Sequence, residues 1–243
     1  MMFGFGVFFG PWDWLMIPGL LIGMWAQMRL MSTYRRYSQQ PVETGVTGAE
    51  AAREILDRSG LRSVPVNPVP GNLTDHYDPT KRALFLSEAN YYGRSVAAVG
   101  VAAHEAGHAL QHKTAYAPLQ FRMMMVPATN FASTAAFLIL GVGFMLTMFG
   151  ILSPKLFGAM LPYAIGAYAV VTLFQLVTLP VEYDASRRAK IALSEMGIIR
   201  AGEAGAINRV LGAAALTYVA ALVTSVLELL RMIMIARGFN HDE

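Results

Sequence analysis

The chain has 243 residues, of which 55% are apolar and only 14% charged, against about a quarter charged in an ordinary soluble domain. A soluble fold of this size has no use for so much apolar sequence, so the composition points to a membrane protein. The absence of cysteine excludes disulfides and thiolate metal sites, and leaves His, Asp and Glu as possible ligands. The net charge of +3 sits on basic residues that flank apolar segments, where they set topology, and this argues against nucleic-acid binding.

Residues 1–31 read as an N-terminal transmembrane anchor, with an apolar core from Trp12 to Met31 that opens on the interfacial Trp12 and Trp14. No basic n-region or small-residue cleavage site marks it as a signal peptide. Residues 32–126 form the largest polar segment. Within it, Thr47 to Glu50 is a capping box, and Ala51, Ala52, Ile55 and Leu56 give one apolar helical face before Gly60 stops the helix. "SVPVNPVPGNL" is too rich in Pro for a central strand and reads as an edge or a loop. "LTDHYDPTKRALFLS" reads as two short extended runs around an Asp78-Pro79 turn. From Ser95 to Lys113 the pattern is helical.

Residues 127–181 then form a transmembrane hairpin, its two spans running from Pro127 to Phe149 and from Ala159 to Val181. Residues 182–210 are a second polar segment, and residues 211–243 hold a last span, Leu211 to Ile233, and a short tail. Lys and Arg cluster between the first and second spans and again between the third and fourth. The hairpin connection carries only Lys155, and the tail beyond the last span only Arg237. This asymmetry predicts cytoplasmic polar segments and external termini.

The motif that carries chemistry is His104-Glu105-Ala106-Gly107-His108, an H-E-x-x-H sequence within the helical stretch. Residues four apart share one helix face with Cα atoms about 6 Å apart, so two imidazoles can converge on one ion. Glu105, one step round, can reach a water on that ion and act as general base. Two neutral imidazoles and a carboxylate suit one zinc ion, with the fourth position left for water. His112 continues the row, but lies about 12 Å along the axis from His104 and about 80° round. No helix breaker intervenes to bring it back, so it reads as a polar end to the helix, with Lys113 complementing the dipole.

The third ligand comes from elsewhere, and His76 and Glu182 are the candidates. Glu182 lies at the cytoplasmic mouth of the third span, in "TLPVEYDASRRAK", where the hairpin returns the chain to the side of the motif helix. His76 lies on a strand-like run, where a lone His is more readily a hydrogen-bonding or substrate-side residue.

"LTDHYDP", "LFLSEANYYGRSVAAVGVAAHEAGHALQH" and "LPVEYDASRRA", in this order, resemble the YugP-like family of neutral zinc metallopeptidases. More distantly, the layout is similar to the HtpX-type membrane proteases. The resemblance implies His104, His108 and Glu182 as zinc ligands and Glu105 as general base. It also implies a mainly α membrane protein, with about four transmembrane helices and a cytosolic α+β zincin-like domain carrying the H-E-x-x-H helix. One departure stands out: the HtpX type places an Asp four residues after its ligand Glu, as a partner to a ligand His. Here that position is Ser186, and Asp184 lies two residues after Glu182.

The expected function is therefore a membrane-embedded zinc endopeptidase, with the lipid bilayer and protein or peptide substrates as partners. His76, Tyr77, Tyr183 and Arg187 are candidate oxyanion donors, and Leu73 to Ser87 could present an edge strand to an extended substrate. Two alternatives carry distinct expectations. An intramembrane protease would bury "SVAAVGVAAHEAGHAL" in lipid, and a metal-stabilised scaffold would have no use for Glu105.

Overall fold

A computed structural model describes residues 12–241, with side chains to residue 238. The chain is mostly helical with one small sheet, in the order α1 (Met16–Ser38), α2 (Gly48–Arg58), β1 (Val66–Val69), β2 (His76–Asp78), β3 (Ala83–Ser87), α3 (Glu88–Tyr91), α4 (Val96–Lys113), α5 (Ala117–Phe137), α6 (Phe144–Met148), α7 (Pro154–Glu195) and α8 (Ala204–His241). It divides into two compact units that do not follow chain order. One comprises residues 26–120 and 179–217, and the other residues 12–25, 121–178 and 218–241.

In the first unit, α2 begins where the sequence places it. The Thr47 hydroxyl accepts from the Glu50 amide at 3.1 Å, and the Glu50 carboxylate accepts from the Thr47 amide at 2.7 Å. Ala51, Ala52, Ile55 and Leu56 are buried, and Gly60 leaves the helix at φ +73°, a conformation that a Cβ disfavours. β2 and β3 form the antiparallel pair around the Asp78-Pro79 turn, with Tyr77 opposite Leu84. Asp78 Oδ1 accepts from the Thr80 and Lys81 amides and fixes the turn. β1 joins β3 in parallel, giving the order β1-β3-β2, so Pro68 lies on an edge strand where its missing donor costs least. Asp75 ties the sheet to the helices: it accepts from the Ser87 amide and hydroxyl and from Asn90, whose Oδ1 accepts from Tyr34.

α4 starts at Ser95, whose hydroxyl accepts from the Ala98 amide, and runs through the core of this unit. Its Val96, Val99, Ala103 and Ala106 share one apolar cluster with Ile55, Leu56, Leu84, Leu86, Leu193 and Ile207. The apolar character of "SVAAVGVAA" is thus explained by protein burial, and small side chains let neighbouring helices approach closely. α4 is not among the described helices that are long and apolar enough to cross a bilayer.

The second unit is built from long apolar helices. Among the described residues, three helical stretches are long and apolar enough to cross a membrane: Ala117–Met148, Pro154–Glu195 and Ala201–Gly238. The first contains Pro127 and a π-helical turn over Leu138–Gly143 between α5 and α6. The sequence predicts four spans. α1 occupies the place of the first and exposes Leu20, Leu21 and Met28, but Pro18, Gln27 and Arg29 dilute its apolar run. The start of the predicted anchor, residues 1–11, lies outside the described residues. Within this unit, Arg231 donates twice to the Glu228 carboxylate and once, at 2.7 Å, to Asp13.

Candidate metal centre

The H-E-x-x-H sequence lies in the second half of α4, in the first unit. One turn apart, His104 and His108 place their ring centroids 4.8 Å apart, nearly perpendicular. α7 lies against this face because Gly107 permits it. A Cβ built on Gly107 would stand 2.5 Å from the Ala185 carbonyl oxygen, and without one the two backbones pack directly. That approach brings Glu182 to the two imidazoles. His104 Nε2 lies 3.1 Å and His108 Nε2 3.6 Å from Glu182 Oε2. Each of the three residues offers one ligand atom within 4.8 Å of the other two.

The donor set fits zinc. In a tetrahedral site with ligand bonds of about 2.0–2.1 Å, donor atoms stand about 3.3 Å apart, and the separations of 3.1 and 3.6 Å bracket that value. The Glu182 carboxylate is almost fully buried, its side chain 2% exposed. Burial opposes its ionisation, but the hydrogen bond with His104 and the two imidazoles beside it outweigh this and hold the carboxyl well below the usual range. An anion held beside two imidazoles and largely shielded from solvent is a suitable host for a divalent cation.

Glu105 stands apart from this set. Buried, it lies near His104, Glu182, Asp75 and the Tyr77 backbone amide. Desolvation pushes its carboxyl up to about 7, with His104 pulling the other way and the negative charges of Glu182 and Asp75 reinforcing the rise. A carboxylate of that basicity next to a metal-binding face can take up and return a proton near neutral pH.

The partners of the two imidazoles differ. His104 Nδ1 lies 3.1 Å from the Ser186 hydroxyl, so Ser186 occupies the role that the HtpX-type pattern gives to Asp. His108 Nδ1 lies 3.0 Å from Gln111 Oε1. Asp184 supports that glutamine and also accepts from Arg187 and Arg188. Burial opposes ionisation of Asp184, but hydrogen bonds from the arginines and Gln111 keep its carboxyl below the usual range. Sequence reasoning missed Gln111, although its spacing of three from His108 places the two on one helix face.

The remaining candidates lie elsewhere. His112 does not simply end the helix: its Nδ1 pairs with the Tyr77 hydroxyl at 2.9 Å and ties β2 to α4. His76 is exposed, pairs with the Thr74 carbonyl and stacks on Phe85, and the structure does not bring it to the His104, His108 and Glu182 group. Arg187 is engaged by Asp184, and Tyr183 is half-exposed.

Residues 12–237 match the family described as "Putative neutral zinc metallopeptidase". The chain is 48% identical over 221 residues to a protein of Bacillus subtilis (strain 168) named "Putative membrane protease YugP", covering 91% of this chain and 94% of that relative. No solved structure matches. By these two sequence matches, the chain belongs to the family of that description.

Proposed function

We propose that the protein is a multi-pass membrane endopeptidase, dependent on one zinc ion, that hydrolyses peptide bonds of protein substrates at the cytoplasmic face of the inner membrane. The observation that carries this reading is the convergence of His104, His108 and buried Glu182, with Glu105 one step round the same helix. His104, His108 and Glu182 would hold the ion. When bound, zinc supplies Lewis-acid polarisation of the scissile carbonyl and makes water acidic enough to attack near neutral pH.

The chain's own residues do the rest. Glu105 Oε accepts the proton of the attacking water, then returns it to the departing amine nitrogen, which leaves as a neutral amine. Its high basicity suits both steps. Ser186 and Gln111 hold the imidazoles in place. β2, one of the two edge strands of the sheet, is a surface on which an extended substrate could add a strand. α1 serves as a fourth span in this reading. The excess of Lys and Arg in the two polar segments supports a cytoplasmic site.

The test is hydrolysis of an unfolded protein such as casein by the detergent-purified chain, with and without zinc, beside a Glu105→Gln variant. Zinc-dependent cleavage that falls about 100-fold or more in the variant, with metal content unchanged, is the expected result. A chain that holds zinc and cleaves nothing in either form would replace this reading with that of a metal-stabilised scaffold.

A further inference from the structure

Resting on the metal reading above, the hydrogen bonds around Gln111 assign a further role: we infer that Gln111 is a positioning residue that fixes the tautomer of His108, keeping its Nε2 lone pair free toward the metal position.

The inference follows from donor and acceptor chemistry. Gln111 is fully buried, so each end of its carboxamide needs a partner inside the protein. On one side stand the Val181 carbonyl oxygen at 2.8 Å and Asp184 Oδ2 at 3.0 Å, both acceptors only. Both Asp184 oxygens accept from the guanidinium groups of Arg187 and Arg188, and the Val181 carbonyl has no hydrogen to give, so this side offers acceptors. The amide NH2 of Gln111 must therefore face that side, and both its hydrogens are used. Its oxygen, an acceptor only, is left for His108 Nδ1 at 3.0 Å. His108 Nδ1 must then carry the hydrogen. In the neutral ring this leaves Nε2 unprotonated, and Nε2 is the nitrogen 3.6 Å from Glu182 Oε2. A flipped amide would set its oxygen against two acceptors, the Val181 carbonyl oxygen and Asp184 Oδ2.

His104 has no such lock. Its Nδ1 partner is the Ser186 hydroxyl, which can donate or accept and tolerates either tautomer. The two ligand histidines are thus unequal: the Gln111 oxygen sets the tautomer of His108 before metal arrives, whereas His104, whose Nε2 lies 3.1 Å from Glu182 Oε2, can donate there without metal and turn its lone pair to the ion when it binds. Val181 and Asp184 flank Glu182 on α7, so the lock also ties the first ligand helix to the segment that carries the third ligand.

The experiment has two arms on the full-length, detergent-purified chain. The first is nitrogen-15 NMR of histidine-labelled, metal-free protein at pH 8, with His108 assigned by its loss in His108→Ala. The expected spectrum shows His108 protonated on Nδ1 alone in wild type, and a mixture of tautomers in Gln111→Met, which keeps the side-chain length and removes the amide. A wild-type His108 protonated on Nε2, or mixed, overturns the inference whatever the variant does. The second arm is zinc affinity by competition with a chelator, where Gln111→Met should bind about 10–100-fold more weakly at unchanged stoichiometry. Equal affinity in wild type and variant, with the tautomer unchanged, also overturns it. Absence of zinc binding in wild type would sink the metal reading instead, and the first arm would still decide the role of Gln111.

Discussion

Gly107 on α4 meets the backbone of Ala185 on α7 so closely that a Cβ would stand 2.5 Å from the Ala185 carbonyl oxygen. The obstacle is backbone, which cannot swing aside as a side chain can. A Gly107→Ala variant must therefore separate the two helices at the point where His108 and Glu182 converge. It is expected to lose about 1–3 kcal/mol of stability and to bind zinc more weakly. Gly212→Ala is the control: nothing lies within 4 Å of its Cβ, and in a helix the change should be neutral or stabilising by up to about 1 kcal/mol. Thermal unfolding of the two variants side by side checks this, and equal midpoints would contradict it.

Glu105 makes the metal-free protein sensitive to pH. Its carboxyl is pushed up to about 7 in the folded state and returns to an ordinary value on unfolding. Between those two values the folded state holds a proton that the unfolded chain releases, so stability falls as pH rises from about 4.5 to about 7. The full penalty, about 3 kcal/mol at most, is present above the folded value and absent below the unfolded one. In Glu105→Gln it is gone. With metal chelated, the variant's unfolding midpoint should gain on wild type as pH climbs from 5 to 7.5. Parallel curves would show that burial does not raise this carboxyl.

Much of the first unit is legible in the sequence because its signals are local. The Thr47 and Glu50 cap, the Asp78-Pro79 hairpin, the proline-bearing edge strand and the Ser95 start of α4 all follow from a few neighbouring residues. Glu182 is separated from His104 by 78 positions, yet the membrane hairpin brings the chain back and makes it a candidate. Gln111, Ser186 and Asp75 were harder to see, because their partners lie across helix packings that no periodicity specifies. His112 found Tyr77 for the same reason. α1 shows the limit of reading spans by composition, since Pro18, Gln27 and Arg29 interrupt its apolar run.

In the apolar unit, Arg231 holds two carboxylates, Glu228 through both oxygens and Asp13 through one. All three are largely shielded, with side-chain exposures of 17, 14 and 20%. Arg231→Met leaves the acids facing each other without this shared cation, and is expected to cost about 3–5 kcal/mol. Combining it with Glu228→Gln should recover part of the loss. Unfolding in detergent measures both. A single variant as stable as wild type would mean that the group contributes no stability.

The absence of native cysteine makes the proposed orientation easy to test. Ser63 and Lys155 are both exposed, one in the first polar segment and one in the hairpin connection. A membrane-impermeant maleimide applied to intact cells should label Lys155→Cys and spare Ser63→Cys until the cells are opened. The reverse pattern would place the site outside.

The central claim is that the chain holds one metal ion through His104, His108 and Glu182. Its most direct test is zinc content by mass spectrometry, measured on detergent-purified wild type and Glu182→Ala prepared side by side. The account predicts near one zinc per chain in wild type and loss of the ion in the variant, with the variant still folded. A Glu182→Ala protein that retains its zinc, or a wild type that cannot be loaded with it, would contradict the account.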